Sequence, residues 1–373
     1  MLEVLLGAGV VGGVTGILAV ILVLSERYIA NYGECHVDIN GDEDLGFTVN
    51  GGGNLLLTLA DRKVFIPSAC GGQGTCGYCK IQVEEGGGEL LPTEKPYLTR
   101  AEIRQRVRLA CRVKIKSDVK LRIPEELLAV QEYQTVVEKI ESLTYDTKLI
   151  RLRLREPSET SFKPGQYYQI RVPDAYLQRL RPPIFDPVFR AYSTAWIPRD
   201  KHFLEFIVRL IPDGICTTWV FKNLKEGDPV TITGPYGEFL LRDGDRDIIC
   251  VAGGSGVAPI RAILEHLFAN GTNRRIHYYF GARAVKDLYY HDTNVERAAR
   301  HDNFTFVPAL SARDRGDRWD GETGFIHTVI DKRFADMSQM EAYLCGPPVM
   351  VEAVKETLKK HGLPQERIYF DAF

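Results

Sequence analysis

The sequence predicts a multidomain fold combining α+β and α/β architecture in one chain. An apolar segment and linker (1–32) leads into a small mixed domain (33–125). An antiparallel barrel (131–243) and a domain of alternating strands and helices (244–373) follow. Three observations carry this. Three thiols, Cys70, Cys76 and Cys79, fall within ten glycine-rich residues. Between Tyr133 and Thr233 the chain reads almost wholly as short strands, as small barrels do. From Asp247 onward, buried-strand runs end in glycine turns that open helices.

Val4 to Leu24 contains no charged residue. As a helix it is about 31 Å long, enough to cross a hydrocarbon core of about 30 Å. A signal peptide would need a basic leading region, and the only charged side chain before the run is Glu3. The run predicts a single transmembrane helix. Gly9 and Gly13, and Gly12 and Gly16, stand four apart, a spacing that lets helices approach closely in lipid.

In the next domain, His36 to Asn40 alternates as a strand and Gly41-Asp42 turns. A short helix is expected from Asn54 to Leu59, and a strand over Lys63 to Pro67 that delivers the thiol loop. Lys80 to Val83 alternates again. Thr99 to Glu102 opens a helix with a capping-box pattern whose Glu stands one place early. Cys70, Cys76 and Cys79 read as C-x5-C-x2-C, and Cys111 supplies a fourth thiol at the entry to a strand. Four thiolates, two per iron, are what a [2Fe-2S] cluster needs. A loop round such a cluster must take left-handed backbone angles, which Gly71, Gly72, Gly74 and Gly77 allow. A zinc site more often shows two separated pairs. The metal ligands are therefore Cys70, Cys76, Cys79 and Cys111.

Barrel strands are expected at Tyr133–Ile140, Thr147–Leu154, Tyr167–Val172, Arg190–Ala195, His202–Leu210 and Val230–Thr233. In an extended strand Arg190, Tyr192 and Thr194 face one way. A cation suited to a diphosphate and a ring suited to stacking on a flavin thus share a face. Gly214 to Thr218, including Thr217, could start a helix whose free amides hold a second phosphate.

Asp247 to Ala252 is a buried-strand run that empties into Gly253-Gly254-Ser255-Gly256, followed by a helix from Ile260 to Phe268. Strand, glycine turn and helix aim amides at a pyrophosphate, although the turn is not G-x-G-x-x-G. Ile276 to Phe280 leads to Gly281 and Arg283. Phe304 to Val307 is a third strand. Ala342 to Cys345 leads to Gly346-Pro347 and a helix from Val349 to Lys360. Ligands sit at the carboxyl ends of such strands, which places Gly253 to Gly256 and Cys345-Gly346-Pro347 round one crevice and Cys345 beside a nicotinamide.

The formal net charge of −2 gives no electrostatic case for nucleic acid. Of eight cysteines, Cys35, Cys216, Cys250 and Cys345 are scattered without pairing logic, which fits a reducing compartment.

Arg190-Ala191-Tyr192-Ser193, Gly253-Gly254-Ser255-Gly256 and Cys345-Gly346-Pro347-Pro348 resemble the ferredoxin-NADP reductase superfamily over residues 131–373. With the thiol domain and leading apolar helix, the whole chain resembles the F-subunit family of Na+-translocating NADH:quinone oxidoreductases. That resemblance implies a β-grasp [2Fe-2S] ferredoxin domain, an FAD-binding barrel and a Rossmann-like NAD domain. It implies that Tyr192 stacks on the isoalloxazine, Ser193 lies near its reactive nitrogen and Arg190 holds the diphosphate. Phe373 would cover the other flavin face. NADH is the implied donor, other integral membrane subunits the partners and quinone the final acceptor through them. The redox domains would lie on the cytoplasmic side of the cell inner membrane. One departure is visible: between Val172 and Arg190 the chain has a short loop where that family carries a longer insert.

Electron counting points the same way. Nicotinamide gives up two electrons at once and a [2Fe-2S] cluster accepts one, so a flavin belongs between them. Two other functions fit parts of the sequence: an anchored reductase feeding an oxygenase, and an electron-carrier subunit without turnover.

Overall fold

The computed structural model describes residues 12–21, 32–195 and 200–372. The chain divides into two compact units, Met1–Ala129 and Val130–Phe373.

In the first unit, residues 12–21 are helical and solvent-exposed. Among the described residues no helix is long and apolar enough to cross a membrane. Most of the Val4–Leu24 run lies outside them. The rest of the unit is a five-stranded mixed sheet of β1 (Glu34–Ile39), β2 (Asp42–Asn50), β3 (Lys80–Glu85), β4 (Val107–Leu109) and β5 (Val119–Arg122). The order is β2-β1-β5-β3-β4, with β1 and β5 parallel. Asn40 and Gly41 both take positive φ (60° and 72°), the conformation of a two-residue hairpin turn whose twist matches its strands. A helix at Leu55–Asp61 begins at Asn54, whose side chain accepts from the Leu57 amide. It buries Leu55, Leu56 and Leu59 against the sheet residues Val37, Ile39 and Ile81.

Two local expectations need correction. Lys63 to Pro67 is not a strand. Val64, Phe65 and Ile66 are buried, but this extended segment joins no ladder, so apolar content stood in for pairing. Cys111 does not enter a strand; it sits on a 3₁₀ turn, Ala110–Arg112, after β4. The capping box at Thr99 is complete, because Thr99 caps the helix and Glu102 is its third residue, the spacing the motif requires.

The second unit opens with β6 (Gln131–Ser142), β7 (Thr147–Glu156), β8 (Tyr167–Arg171), β9 (Phe189–Ser193), β10 (Phe203–Arg209) and β11 (Pro229–Tyr236). The order is β10-β7-β6-β11-β8-β9, antiparallel throughout, and a Thr194–Phe206 bridge joins the two edges. That bridge closes a barrel round Leu152, Tyr168, Ile170 and Phe206. A helix, Ile215–Lys222, packs Cys216 and Trp219 into the same core.

The remainder is a parallel sheet: β12 (Ile248–Gly253), β13 (Ile276–Ala282), β14 (Phe304–Leu310), β15 (Glu322–Thr323), β16 (Glu341–Gly346) and β17 (Ile368–Ala372), in the order β15-β14-β13-β12-β16-β17. Ile248, Cys250 and Ala252 face one core with the Val257–Asn270 helix. Ile249 and Val251 face another with the Ile326–Asp331 and Pro348–Lys360 helices. Both faces are covered, which explains why β12 reads as an unbroken apolar run. The strand order reverses between β12 and β16, so a crevice opens at their carboxyl ends.

Candidate functional site

The thiol cradle is shaped by backbone conformation. Gly71, Gly72, Gly74 and Gly77 all adopt positive φ, between 67° and 85°. These angles wrap the loop so that four thiols meet as two pairs. Cys76 Sγ lies 3.4 Å from Cys70 Sγ, and Cys79 Sγ lies 3.3 Å from Cys111 Sγ. All eight cysteines are free. Among the described residues no three Cys, His, Asp or Glu side chains converge on a point able to hold a single ion. Two thiols at each of two positions suit a two-iron cluster better than a tetrahedral zinc. Within each pair one thiol supports the other as thiolate. The hydrogen bond from Cys76 holds Cys70 down at about 3 and leaves Cys76 raised. The bond between Cys79 and Cys111 lowers Cys111 and raises Cys79. The pairing of the four thiols makes the set geometrically fit for a cluster.

A buried ion pair braces this cradle, and the sequence reading missed it. Arg108 Nη2 lies 2.7 Å from Glu94 Oε2, and Arg108 Nη1 donates to the Gly87 and Gly88 carbonyls. Glu94 also accepts the amide of Leu109, two residues before Cys111, at 3.0 Å. Burial pushes the Glu94 carboxyl up, but Arg108 and the Leu91 and Leu109 amides together outweigh it and hold the group below its usual range.

In the barrel, β9 pairs with β8 so that Tyr192 stands opposite Tyr168 and Arg190 opposite Ile170. The Tyr192 hydroxyl donates to Cys216 Sγ at 3.4 Å. That contact brings β9 beside the amino end of the Ile215–Lys222 helix, capped by Gly214. Thr217 is buried there, its hydroxyl accepting the Ile211 amide at 3.2 Å, and Thr218 lies in the helix's first turn. Ser193 and Thr194 are buried, Thr194 donating to the Gln166 carbonyl at 3.0 Å. Cation, ring and free helical amides are therefore neighbours, as a flavin diphosphate and its isoalloxazine would require.

A cavity of about 190 Å³ occupies the crevice. Gly253, Gly254, Gly281, Arg283 and Pro347 line it. The glycines are there for space. A Cβ on Gly256 would fall 2.2 Å from the Cys345 carbonyl oxygen, and one on Gly253 would fall 2.6 Å from Met350 Sδ. Ser255 lies in the 3₁₀ turn with Gly254 and Gly256. Cys345 is fully buried and does not line the cavity, and burial pushes its thiol well above the ordinary value. Gly346 ends β16 at φ 145°. The tail forms β17 beside β16, with Asp371 opposite Cys345. Phe373 lies outside the described residues.

Sequence reasoning also missed several cavity walls. Asp146 and Arg209, joined at 2.8 Å, line it, as does Tyr289, whose hydroxyl donates to the Gly254 carbonyl at 2.6 Å. These residues belong to no local motif; only the barrel's fold brings Arg209 to Asp146.

Comparison with known proteins agrees with this layout. Residues 37–116 match the 2Fe-2S iron-sulfur cluster binding domain, 134–240 the oxidoreductase FAD-binding domain and 250–356 the oxidoreductase NAD-binding domain. The chain is 33% identical to the F subunit of the Na(+)-translocating NADH-quinone reductase of Serratia proteamaculans, covering all of both chains. It is 35% identical to the F subunit of Pseudomonas aeruginosa, covering 96% of each.

The chain belongs to the F-subunit family of Na+-translocating NADH-quinone reductases.

As a member of that family it is an oxidoreductase with 2Fe-2S, FAD and NAD domains, and its relatives are named as subunits of a larger reductase. The Serratia alignment spans 406 positions against 373 residues here, so at least 33 positions of that F subunit have no counterpart in this chain. Among solved structures, the Amycolatopsis reductase GcoB is 28% identical with a TM-score of 0.71, covering 91% of this chain and 98% of its own. The ferredoxin reductase in carbazole 1,9a-dioxygenase is 27% identical with a TM-score of 0.68 over the same shares.

Proposed function

We propose that this chain is the NADH-oxidising electron-input subunit of a membrane quinone reductase. The observation that carries the reading is the union, in one chain matched end to end by F-subunit relatives, of two paired-thiol positions, a flavin-type face and a dinucleotide crevice. When bound, the flavin takes a hydride's two electrons from NADH, and the [2Fe-2S] cluster passes them on singly to partner subunits and finally to quinone. The residues of this chain bind and orient. Cys70, Cys76, Cys79 and Cys111 hold the irons. Arg190, Ser193, Thr194, Gly214, Thr217 and Thr218 hold the flavin's phosphates and ring edge, with Tyr192 against the ring. Gly253 to Gly256, Gly281, Arg283, Gly346 and Pro347 seat the NADH. Cys345 packs behind the crevice, its carbonyl against Gly256, and Phe373 shields the flavin.

The apolar run from Val4 to Leu24 anchors the chain, with the redox domains in the cytoplasm. Its helical residues 12–21 expose Val14, Ile17, Leu18, Val20 and Ile21, each more than half accessible, which favours lipid or a partner helix as their surroundings. A single helix without intramembrane charge cannot move sodium alone, so any Na+ transport belongs to the partners. Purification in mild detergent with bound partners, followed by NADH:quinone assays, should show stimulation by Na+. A second reading, a reductase feeding an oxygenase, is favoured by the likeness to the two solved reductases and by the shorter chain. A stable complex with an oxygenase component, and no response to Na+, would replace the first reading with the second. An FAD-loaded chain without NADH:ferricyanide activity would reject both and leave an electron carrier.

A further inference from the structure

We propose that Arg112 is a positioning residue that sets the reduction potential of the cluster, as a fixed cation laid across the cradle. The proposal rests on the iron–sulfur reading above. Arg112 follows Cys111 on the 3₁₀ turn, and its side chain crosses back over the loop that carries the other three thiols. Its Nη2 donates to the Gln73 carbonyl at 2.7 Å. Its guanidinium fills the space above Gly74: a Cβ there would fall 2.1 Å from Arg112 Nε and 2.4 Å from Cζ. Gly74 is therefore required twice, for its φ of 72° and for the cation over it.

The decisive observation is Arg112 Nε, which is buried and has no hydrogen-bond partner among the described residues. A buried donor on a cation without an acceptor is costly and rare. This one stands beside the cradle, where thiolate and inorganic sulfide are acceptors of the kind it lacks. Reduction adds one electron to a cluster whose ligands are already anionic. A neighbouring positive charge and hydrogen bonds to sulfur favour that added electron and raise the potential.

A loop clamp alone would make a different prediction, because it would alter cluster retention and leave the potential alone. The test is an EPR-monitored redox titration of the full chain, with iron and acid-labile sulfide measured beside it, for wild type, Arg112→Gln and Arg112→Lys. Arg112→Gln should keep its iron and sulfide while the reduction equilibrium shifts at least about tenfold toward the oxidised cluster, 59 mV for a one-electron couple. Arg112→Lys, which keeps the charge, should stay within about threefold of wild type. An Arg112→Gln potential within threefold of wild type overturns the proposal, as does an equal fall in both variants. Should Arg112→Gln lose its cluster, the lysine variant decides by the same threefold and tenfold limits, and loss from both overturns it. Wild-type protein without iron or an EPR signal would instead remove the iron–sulfur reading itself.

Discussion

Replacing Glu94 with alanine should loosen the cluster cradle from a distance, and the structure sets the size of the effect. The Glu94 side chain is 0% exposed and that of Arg108 8%, so the pair is fully desolvated. Glu94→Ala leaves the Arg108 cation buried with carbonyl partners only, and strands the Leu109 amide, itself in a residue 0% exposed. Breaking a buried pair from one side costs about 3–5 kcal/mol. The double variant Glu94→Leu/Arg108→Met removes the stranded charge. It still leaves the Leu109 amide without its acceptor, for about 1–3 kcal/mol. Hydrogen exchange of the peptide spanning residues 107–113, read by mass spectrometry on the full chain, measures this locally. Glu94→Ala should lower protection by about two to four orders of magnitude, and the double variant should recover at least about tenfold of it. A single variant within about threefold of wild type, or a double variant no better than the single, refutes the account. The pH dependence has a fixed sign. The Glu94 carboxyl is depressed in the folded chain, so its contribution is complete above the unfolded value of about 4.3 and is lost as pH falls through the lower folded value. Protection around Leu109 should therefore fall on acidification below about pH 4 in wild type and stay flat there in the double variant.

Other outcomes follow from the remaining sites. Cys111→Ser should abolish the cluster's visible absorbance and EPR signal while NADH:ferricyanide activity, which needs only the flavin half, stays within about twofold. Gly256→Ala drives a methyl into the Cys345 carbonyl and should destabilise the second unit by about 2–3 kcal/mol, with the KM for NADH rising more than flavin content falls. Tyr192→Phe removes only the bond to Cys216, worth about 1 kcal/mol, and should keep its flavin; Tyr192→Ala should lose it, as absorbance at the flavin band will report. NADH should be preferred over NADPH in kcat/KM by at least about tenfold. Lys286 is tied to Asp314 at 2.9 Å and Asp287 stands beside it, which leaves a 2′-phosphate poorly matched.

Much of this molecule was legible because its decisive residues are local. The C-x5-C-x2-C run, the strand at Phe189–Ser193 and the glycine turn after β12 each carry their geometry within a dozen residues. Positive φ at four cradle glycines follows directly from a loop that must curl round a point. What stayed hidden depends on closure. Asp146 and Arg209 meet only because β7 and β10 pair in a register that sets Thr147 opposite Arg209. Glu94 reaches Leu109 across a loop whose composition says nothing about a buried acid. Ile368–Ala372 is too short to declare itself a strand until β16 offers an edge.

The misread segment at Lys63–Pro67 makes the same point from the other side. Its Val, Phe and Ile are buried as a strand's would be, yet Lys63 takes φ 63° and Val64 donates back to Leu59, which turns the chain out of any ladder. Apolar pattern reports burial, and only hydrogen-bond partners report a sheet. The consequence is functional. A strand would have fixed the cradle's approach by ladder bonds, whereas here packing of Val64, Phe65 and Ile66 does so. The cradle's own position then rests on side-chain braces: Tyr97 donating to the Thr75 carbonyl, Arg112 to Gln73, and the Glu94–Arg108 pair behind Cys111. Each brace grips the chain within three residues of a cluster thiol. Among them Arg112, which helps to hold the loop in place, is also the cation proposed above to tune the cluster.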